Sequence, residues 1–383
     1  MKHWAIIIPL LLGTSCRGLG PCGEKSISDR VADRDFPSVF MAWNPADNVR
    51  GAEPLAIEAR HDLIWHGPGF FGLRWNKSPW GLADGFTPQS VPRALAMRKK
   101  LLERNPNVIL LAEIRYRDAP ARFLPPGHRW WKRGRDGQVV NGWAEGKFLQ
   151  LDFTNPEYRA HVARRAGAAV RTGVFDGVLL DWWMEDWDRL QLVKAVRRAV
   201  GDDKLIVVNT NQRLEPVTAP YINGWFMECT RTKTAADWAR IAASLAWGDR
   251  NLRPPRVMCL ETWFHRSRND RHLMRATTTL ALTHSDGYCL FSDPNPLPTR
   301  DHLHDWYPFW DAPLGRPIAK GKSRTDGTFG REFDGGTVIH NPMGNQPVTV
   351  TFAAPRKSAA TGTTATRHPV GCPDGDIFLK PKR

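Results

Sequence analysis

The sequence predicts an α/β chain: a (β/α)8 TIM barrel followed by a small C-terminal antiparallel β module. Three observations carry this. Eight short apolar runs between Pro37 and Pro294 alternate with helical or loop segments, the pattern of parallel strands joined by crossovers. Runs such as Val178-Leu179-Leu180 are apolar on both faces, as strands covered by helices on each side require. The 383 residues also suit a barrel of about 250 residues plus an accessory module.

Taken in order, residues 1–16 read as a signal segment. Lys2 and His3 precede an apolar run, Trp4 to Leu12, too short to span a bilayer, and Gly13-Thr14-Ser15 then lead to Cys16. The expectation is export, to the periplasm, the outer envelope or the medium, with Cys16 a candidate lipoprotein thiol and membrane anchor. The barrel is expected over 36–310. Its strands are Ser38–Trp43, Asp62–Trp65, Val108–Ile114, Gly177–Trp182, Leu205–Asn209, Gly224–Glu228, Val257–Glu261 and Gly287–Phe291. Helices are expected over Pro156–Thr172, where Asn155 supplies a cap and Pro156 the first helical residue, and over Glu185–Val200, Ala235–Trp247 and Arg268–Thr283. After Trp310 the texture becomes rich in Gly and Thr with apolar and polar residues alternating, which predicts a β-sandwich-like module over 315–383.

Composition narrows the chemistry. The net charge of +15 is carried mostly by scattered Arg, usually solvated surface; an acidic polysaccharide or anionic envelope surface fits it better than nucleic acid, which is not expected as a partner. No C-x-x-C pair occurs, so Cys229, Cys259 and Cys289 read as buried free thiols, and neither a metal nor a cofactor is expected. His302-Leu-His304 follows the last strand and reads as surface or packing; His61 and His66 read as structural or substrate-contacting.

The most informative stretch is Val174-Phe-Asp-Gly-Val-Leu-Leu-Asp-Trp-Trp183, an apolar strand ending on a carboxylate beside two indoles. Barrel chemistry sits at the carboxyl ends of strands. A carboxylate among aromatic platforms suits a sugar, whose C–H faces stack on indole. Glu113, Asp181, Glu228, Glu261 and Asp293 all fall at strand ends, and glycoside hydrolysis needs two such acids, one ionised and one protonated. Asp181 with Glu228 is the expected pair, Asp181 with Glu261 its alternate. The competing readings are that Asp181 caps the next helix and that Glu228 pairs with an arginine. Expected substrate contacts are Trp43, Arg74, Trp75, Asn76, Glu113, Trp131, Trp182, Trp183, Asn209, Trp263 and Asp293. Several lie in the aromatic loop after the second strand or in the long connection from Tyr116 to Gln150; in both loops, packing of a lid competes with sugar stacking.

Three segments carry a resemblance: Leu151-Asp-Phe-Thr-Asn-Pro-Glu-Tyr-Arg159, Phe175-Asp-Gly-Val-Leu-Leu-Asp-Trp-Trp183 and Asn223-Gly-Trp-Phe-Met-Glu228. In order, they resemble the glycosyl-hydrolase barrels grouped as hypothetical glycosyl hydrolase family 15, with the polygalactosaminidase-like barrels sharing the style. The resemblance, over roughly 36 to 310, implies a glycosidase barrel without fixing the sugar. It leaves retention and inversion both open; by analogy with barrels that carry the nucleophile on the fourth strand and the acid on the sixth, it makes Asp181 the nucleophile and Glu228 the acid/base, with Glu261 as alternate. Retention is the expectation, because an Asp deep in a Trp-rich pocket leaves little room for an attacking water. Trp182-Trp183 stand where those relatives often carry Asn or Asp. A non-catalytic carbohydrate-binding envelope barrel is the alternative, since fold alone does not establish function.

Overall fold

The structure, a computed structural model, describes residues 24–144, 146–263, 268–292 and 302–381. The signal segment and Cys16 lie outside the described residues. Eight parallel strands form one sheet: β1 Phe40–Ala42, β2 Leu63–His66, β3 Ile109–Glu113, β4 Gly177–Leu180, β5 Leu205–Asn209, β6 Gly224–Cys229, β7 Val257–Trp263 and β8 Tyr288–Ser292. Each pairs with its sequence neighbour, and the barrel closes where Val39 bridges Cys289 in parallel register and the Cys289 N–H donates to the Ser38 carbonyl at 2.9 Å. All eight expected strands are present, shifted at most two residues at either end.

The crossover helices start where their caps dictate. The Asn155 side chain accepts from the Glu157 and Tyr158 N–H groups ahead of Pro156–Arg171. Thr234 and Asp237 form a capping box ahead of Ala235–Asn251. The core fills the barrel with Phe40, Trp65 and Phe226, mutually packed at 4.8–5.7 Å between ring centroids.

At the amino ends of the strands a buried ion cluster closes the barrel floor. Asp176, just before β4, pairs with Arg98 at 2.8 Å and with Arg30, and accepts the Leu110 N–H at 2.9 Å. Arg30 comes from the helix Ile27–Asp33, so the barrel unit begins before residue 36. Burial alone would raise the Asp176 carboxyl; Arg98 and Arg30 reverse this and hold it below its ordinary value. Gly177 follows because a Cβ there would meet the Leu205 carbonyl oxygen at 2.2 Å.

The C-terminal region is an antiparallel sheet of six strands joined by hydrogen bonds. It packs on the outer face of the helix Arg271–His284. Asp374 accepts from Arg275 at 2.7–2.8 Å, Arg331 donates to the Leu282 and Ser285 carbonyls at 2.9 and 2.6 Å, and Gly375 lies so close to the helix that a Cβ would meet Thr279 Oγ1 at 2.0 Å. Ile339, Val350, Val370 and Phe378 form a small second core inside this region.

Candidate active site

At the carboxyl ends of the strands lies a cleft of about 1170 Å³, larger than the ~300–1,000 Å³ typical of small-ligand pockets and roomy enough for several sugar rings. Its floor is made by three successive strands. Asp181 follows the end of β4, Asn209 ends β5 and Glu228 stands near the end of β6. The Asn209 amide nitrogen donates to Asp181 Oδ1 at 2.8 Å and to Glu228 Oε2 at 2.6 Å. One nitrogen thus ties the two carboxyls together. Its orientation is fixed from behind, since Asn209 Oδ1 accepts the Asn211 N–H at 3.1 Å. Asn211 Nδ2 in turn donates to the Glu228 carbonyl at 2.8 Å.

The two acids are electrostatically unequal. Burial, then the nearby Glu113 carboxylate, raises Asp181 to about 6. Burial raises Glu228 to about 8, with the charges of Asp181 and Glu261 adding to it and His302 opposing it. Near neutral pH the proton shared by the pair therefore resides mainly on Glu228. Glu228 has no arginine partner among the described residues, and Asp181 caps no helix; the cap of Trp187–Val200 is Asp186.

His302 corrects the surface-or-packing reading of its segment. The His302 imidazole lies against the Trp43 ring, 4.9 Å between centroids, and its Nε2 is 3.7 Å from Glu228 Oε1. Nδ1 lies 2.9 Å from Glu261 Oε2. Glu261 is fully buried, does not line the cleft and also accepts from the Ser292 hydroxyl, so it holds His302 rather than replacing Glu228 as the acid. His304 and His61, joined at 2.9 Å between their Nε2 atoms, are interior packing.

The expected substrate contacts divide sharply. Trp43, Glu113, Trp182 and Asn209 line the cleft. Trp43 Nε1 donates to Glu113 at 3.0 Å, and Glu113 pairs with Arg115 at 3.1 Å. Trp182 is 46% exposed, with Arg117 over its ring at 4.3 Å. Trp43 and Trp182 both have left-handed backbones, φ 55° and 57°. The Tyr116 hydroxyl and the Arg189 guanidinium both donate to the Trp182 carbonyl and hold that turn.

Others are corrected. The turn at Trp182 sends Trp183 inward, fully buried with its Nε1 donating to Thr218 at 3.3 Å. Trp131 is buried beneath the long loop, donating to the Pro125 carbonyl at 3.1 Å. Trp75 stacks on Phe86 and lies under the Arg165 guanidinium at 3.7 Å, on the barrel's flank; Arg74 and Asn76 beside it are exposed outside the cleft. That aromatic loop is packing. Asp293 and the Trp263 side chain lie outside the described residues.

The long connection after β3 does contribute. Its strands Asp118–Pro120 and Phe148–Gln150 pair into a small antiparallel ribbon that brings Asp118, Trp143 and Phe148 to the cleft. The sequence reading also missed Arg115, Gln212, Arg213, Arg231 and Arg240, which line the rim from loops and helix starts. Charged residues in loops carry no periodicity that says which way they face.

No protein-family model matches the chain, and no curated protein is similar to it in sequence. The solved structures it resembles include an α-amylase from Lactobacillus plantarum, at 12% identity, covering 93% of this chain and 100% of that one, with a TM-score of 0.55. An α-amylase from Geobacillus thermoleovorans matches at 12% identity over 94% and 100% with a TM-score of 0.51. A debranching enzyme from Nostoc punctiforme matches at 10% over 93% and 99% with a TM-score of 0.52. At these identities the likeness is one of fold: a (β/α)8 barrel with a C-terminal antiparallel sheet. The finer family resemblance rests on the three sequence segments alone. Most of their distinctive residues turn out to build the barrel: Asp176 in the floor cluster, Asn155 as a helix cap, and Asn223, whose Oδ1 accepts the Ile206 N–H at 3.1 Å.

Proposed function

We propose that the protein is a retaining glycosidase acting on an oligosaccharide or polysaccharide. The observation that carries this is the shared Asn209 nitrogen. Two bonds of 2.8 and 2.6 Å to one atom bring one oxygen of Asp181 and one of Glu228 close together, which favours the ~5–5.5 Å carboxyl separation of retaining enzymes over the roughly 6.5–9.5 Å of inverting ones. The barrel fold shared with α-amylases and a debranching enzyme supports the same class.

In this reading Asp181 Oδ attacks the anomeric carbon as the bond to the leaving oxygen breaks, and Glu228 gives its proton to that oxygen. The product is a glycosyl ester on Asp181. Glu228, now a carboxylate, takes a proton from water; the water oxygen attacks the same carbon and Asp181 departs. Asn209 donates to both acids and keeps them in register. His302, held by Glu261, places an imidazole beside Glu228 and tunes its proton affinity. Trp182 and Trp143 offer stacking faces. The test is reducing-end release across a panel of polysaccharides, with Asp181→Asn and Glu228→Gln as controls. Release that persists in both variants, or its absence from every glycan, overturns the proposal; glycan binding without release favours the carbohydrate-binding alternative.

A further inference from the structure

The rim of the cleft is uneven in character. The sector after β3 and β4 is aromatic, with Trp143, Phe148 and Trp182; the sector after β5 and β6 carries Arg213, Arg231 and Arg240. Two of the four arginines lining this mouth are already committed, Arg115 to Glu113 at 3.1 Å and Arg213 to Glu215 at 3.2 Å. Arg231 is different: it makes no ion pair or hydrogen bond among the described residues. Arg240 reaches only Asp237, at 3.8 Å. That carboxylate is occupied, accepting from the Thr234 N–H and hydroxyl at 3.1 and 2.8 Å.

A second observation comes from the same lining. Gln212 lines the same sector, is 8% exposed, and its Oε1 has no hydrogen-bond partner among the described residues. A buried acceptor left without a donor is costly unless something supplies one. Its backbone is anchored, since the Ser244 hydroxyl donates to the Gln212 carbonyl at 3.1 Å. Arg231, unpaired among the described residues, and Arg240, paired only at 3.8 Å, ask for an anion; a buried amide oxygen asks for a hydroxyl.

We infer that this sector is a subsite for an acidic sugar, a glycan unit carrying a carboxylate or sulfate beside free hydroxyls. Arg231 and Arg240 bind the anion and Gln212 Oε1 accepts a hydroxyl proton. The aromatic sector takes the C–H face of a neighbouring ring. The chain's net charge of +15 adds a long-range field that draws such a polyanion towards the cleft. The inference rests on the glycosidase reading for the nature of the site, not for its charge preference.

The experiment uses the full chain carrying Asp181→Asn and titrates it calorimetrically with hexamers. The probes are oligogalacturonides (carboxylate only), chondroitin sulfate (carboxylate and sulfate), methyl-esterified oligogalacturonides, and neutral maltohexaose and cellohexaose. At least one acidic hexamer should bind tenfold or more tightly than the neutral ones and than the methyl ester, and the first two probes separate carboxylate from sulfate. Arg231→Gln and Arg240→Gln should each raise that Kd by roughly tenfold, as loss of a charge-assisted hydrogen bond does, and Gln212→Leu by several-fold, with circular dichroism unchanged. Neutral hexamers binding as well as acidic ones, no acidic hexamer binding, indifference to the arginine variants, or tighter binding of a thymidine hexanucleotide would each overturn the subsite. The two readings fail separately. Acid-selective binding with no cleavage by the unsubstituted protein removes the hydrolase and keeps the subsite; cleavage of neutral glycans untouched by the arginine variants does the reverse.

Discussion

Two aspartates flank the same short strand and live opposite lives. Asp176 precedes β4 and is buried; Asp181 follows it and is half-buried in the cleft. At the floor of the barrel, Arg30 and Arg98 surround Asp176 and keep it ionised well below its ordinary range. At the mouth, Asp181 meets a neutral amide and the carboxylate of Glu113, and its proton affinity rises to about 6. Burial alone does not make a catalytic group; the partners decide. A carboxylate matched to arginines is a rivet, while one left among acids is poised for chemistry.

Substitution should separate the two most sharply. Asp181→Asn is expected to lower glycan turnover by at least ~10³-fold, the scale of losing a central catalytic group. The same change should leave Tm unchanged or raised, because a carboxyl whose folded pKa lies above its unfolded one weakens the fold at neutral pH. Reducing-end assays beside thermal melts test both halves. A variant that keeps its activity breaks the contrast.

Asp176→Asn should do the opposite. Leaving Arg30 and Arg98 buried without their counter-charge should cost about 3–5 kcal/mol in denaturant unfolding, with turnover per folded molecule little changed. The pH dependence follows in sign. Because the Asp176 pKa is depressed, its contribution is fully present above the unfolded value of about 4 and is lost as pH falls through the lower folded value. The variant should therefore show a flatter loss of stability in acid.

A smaller effect concerns the pH profile of activity. Turnover should rise as Asp181 ionises near 6 and fall as Glu228 loses its proton near 8. Since His302 lowers the Glu228 value, His302→Asn should move the alkaline limb to higher pH, and Glu228→Gln should erase that limb. An alkaline limb that survives Glu228→Gln assigns it to another group. The smallest change is expected from Trp182→Ala, which removes an exposed stacking face: KM should rise by several-fold to tenfold with a lesser effect on kcat, as loss of one aromatic contact implies.

The contrast also marks how far the sequence was legible. Strand positions were, because apolar runs and capping residues are local signals, and Glu228 and Asp181 could be picked out as acids at strand ends. What the pattern could not say was which way an aromatic faces. Trp182 and Trp183 are adjacent, yet one opens on the cleft and the other fills the core, a difference set by one left-handed turn. Trp75 and Trp131 look like sugar platforms in sequence and serve as packing under loops. His302 was unreadable for another reason. Its role arises only because the fold brings His302 against Trp43 and Glu228, long-range contacts with no local signature. Even the Phe175-Asp-Gly-Val motif proved to describe the floor, where Asp176 and Gly177 are required by charge and by close approach.

The docking of the C-terminal sheet bears on how the molecule melts and how it can be cut. Appended sugar-binding domains on flexible tethers unfold on their own and can be exchanged between enzymes. Here the Arg331 guanidinium is buried against the carbonyls at the end of a barrel helix, and Gly375 admits no side chain where sheet and helix meet. Such a joint ties the two parts into one cooperative unit, so calorimetry should record a single transition. A chain ended at Leu314 would not be an isolated barrel but a barrel with one helix laid bare.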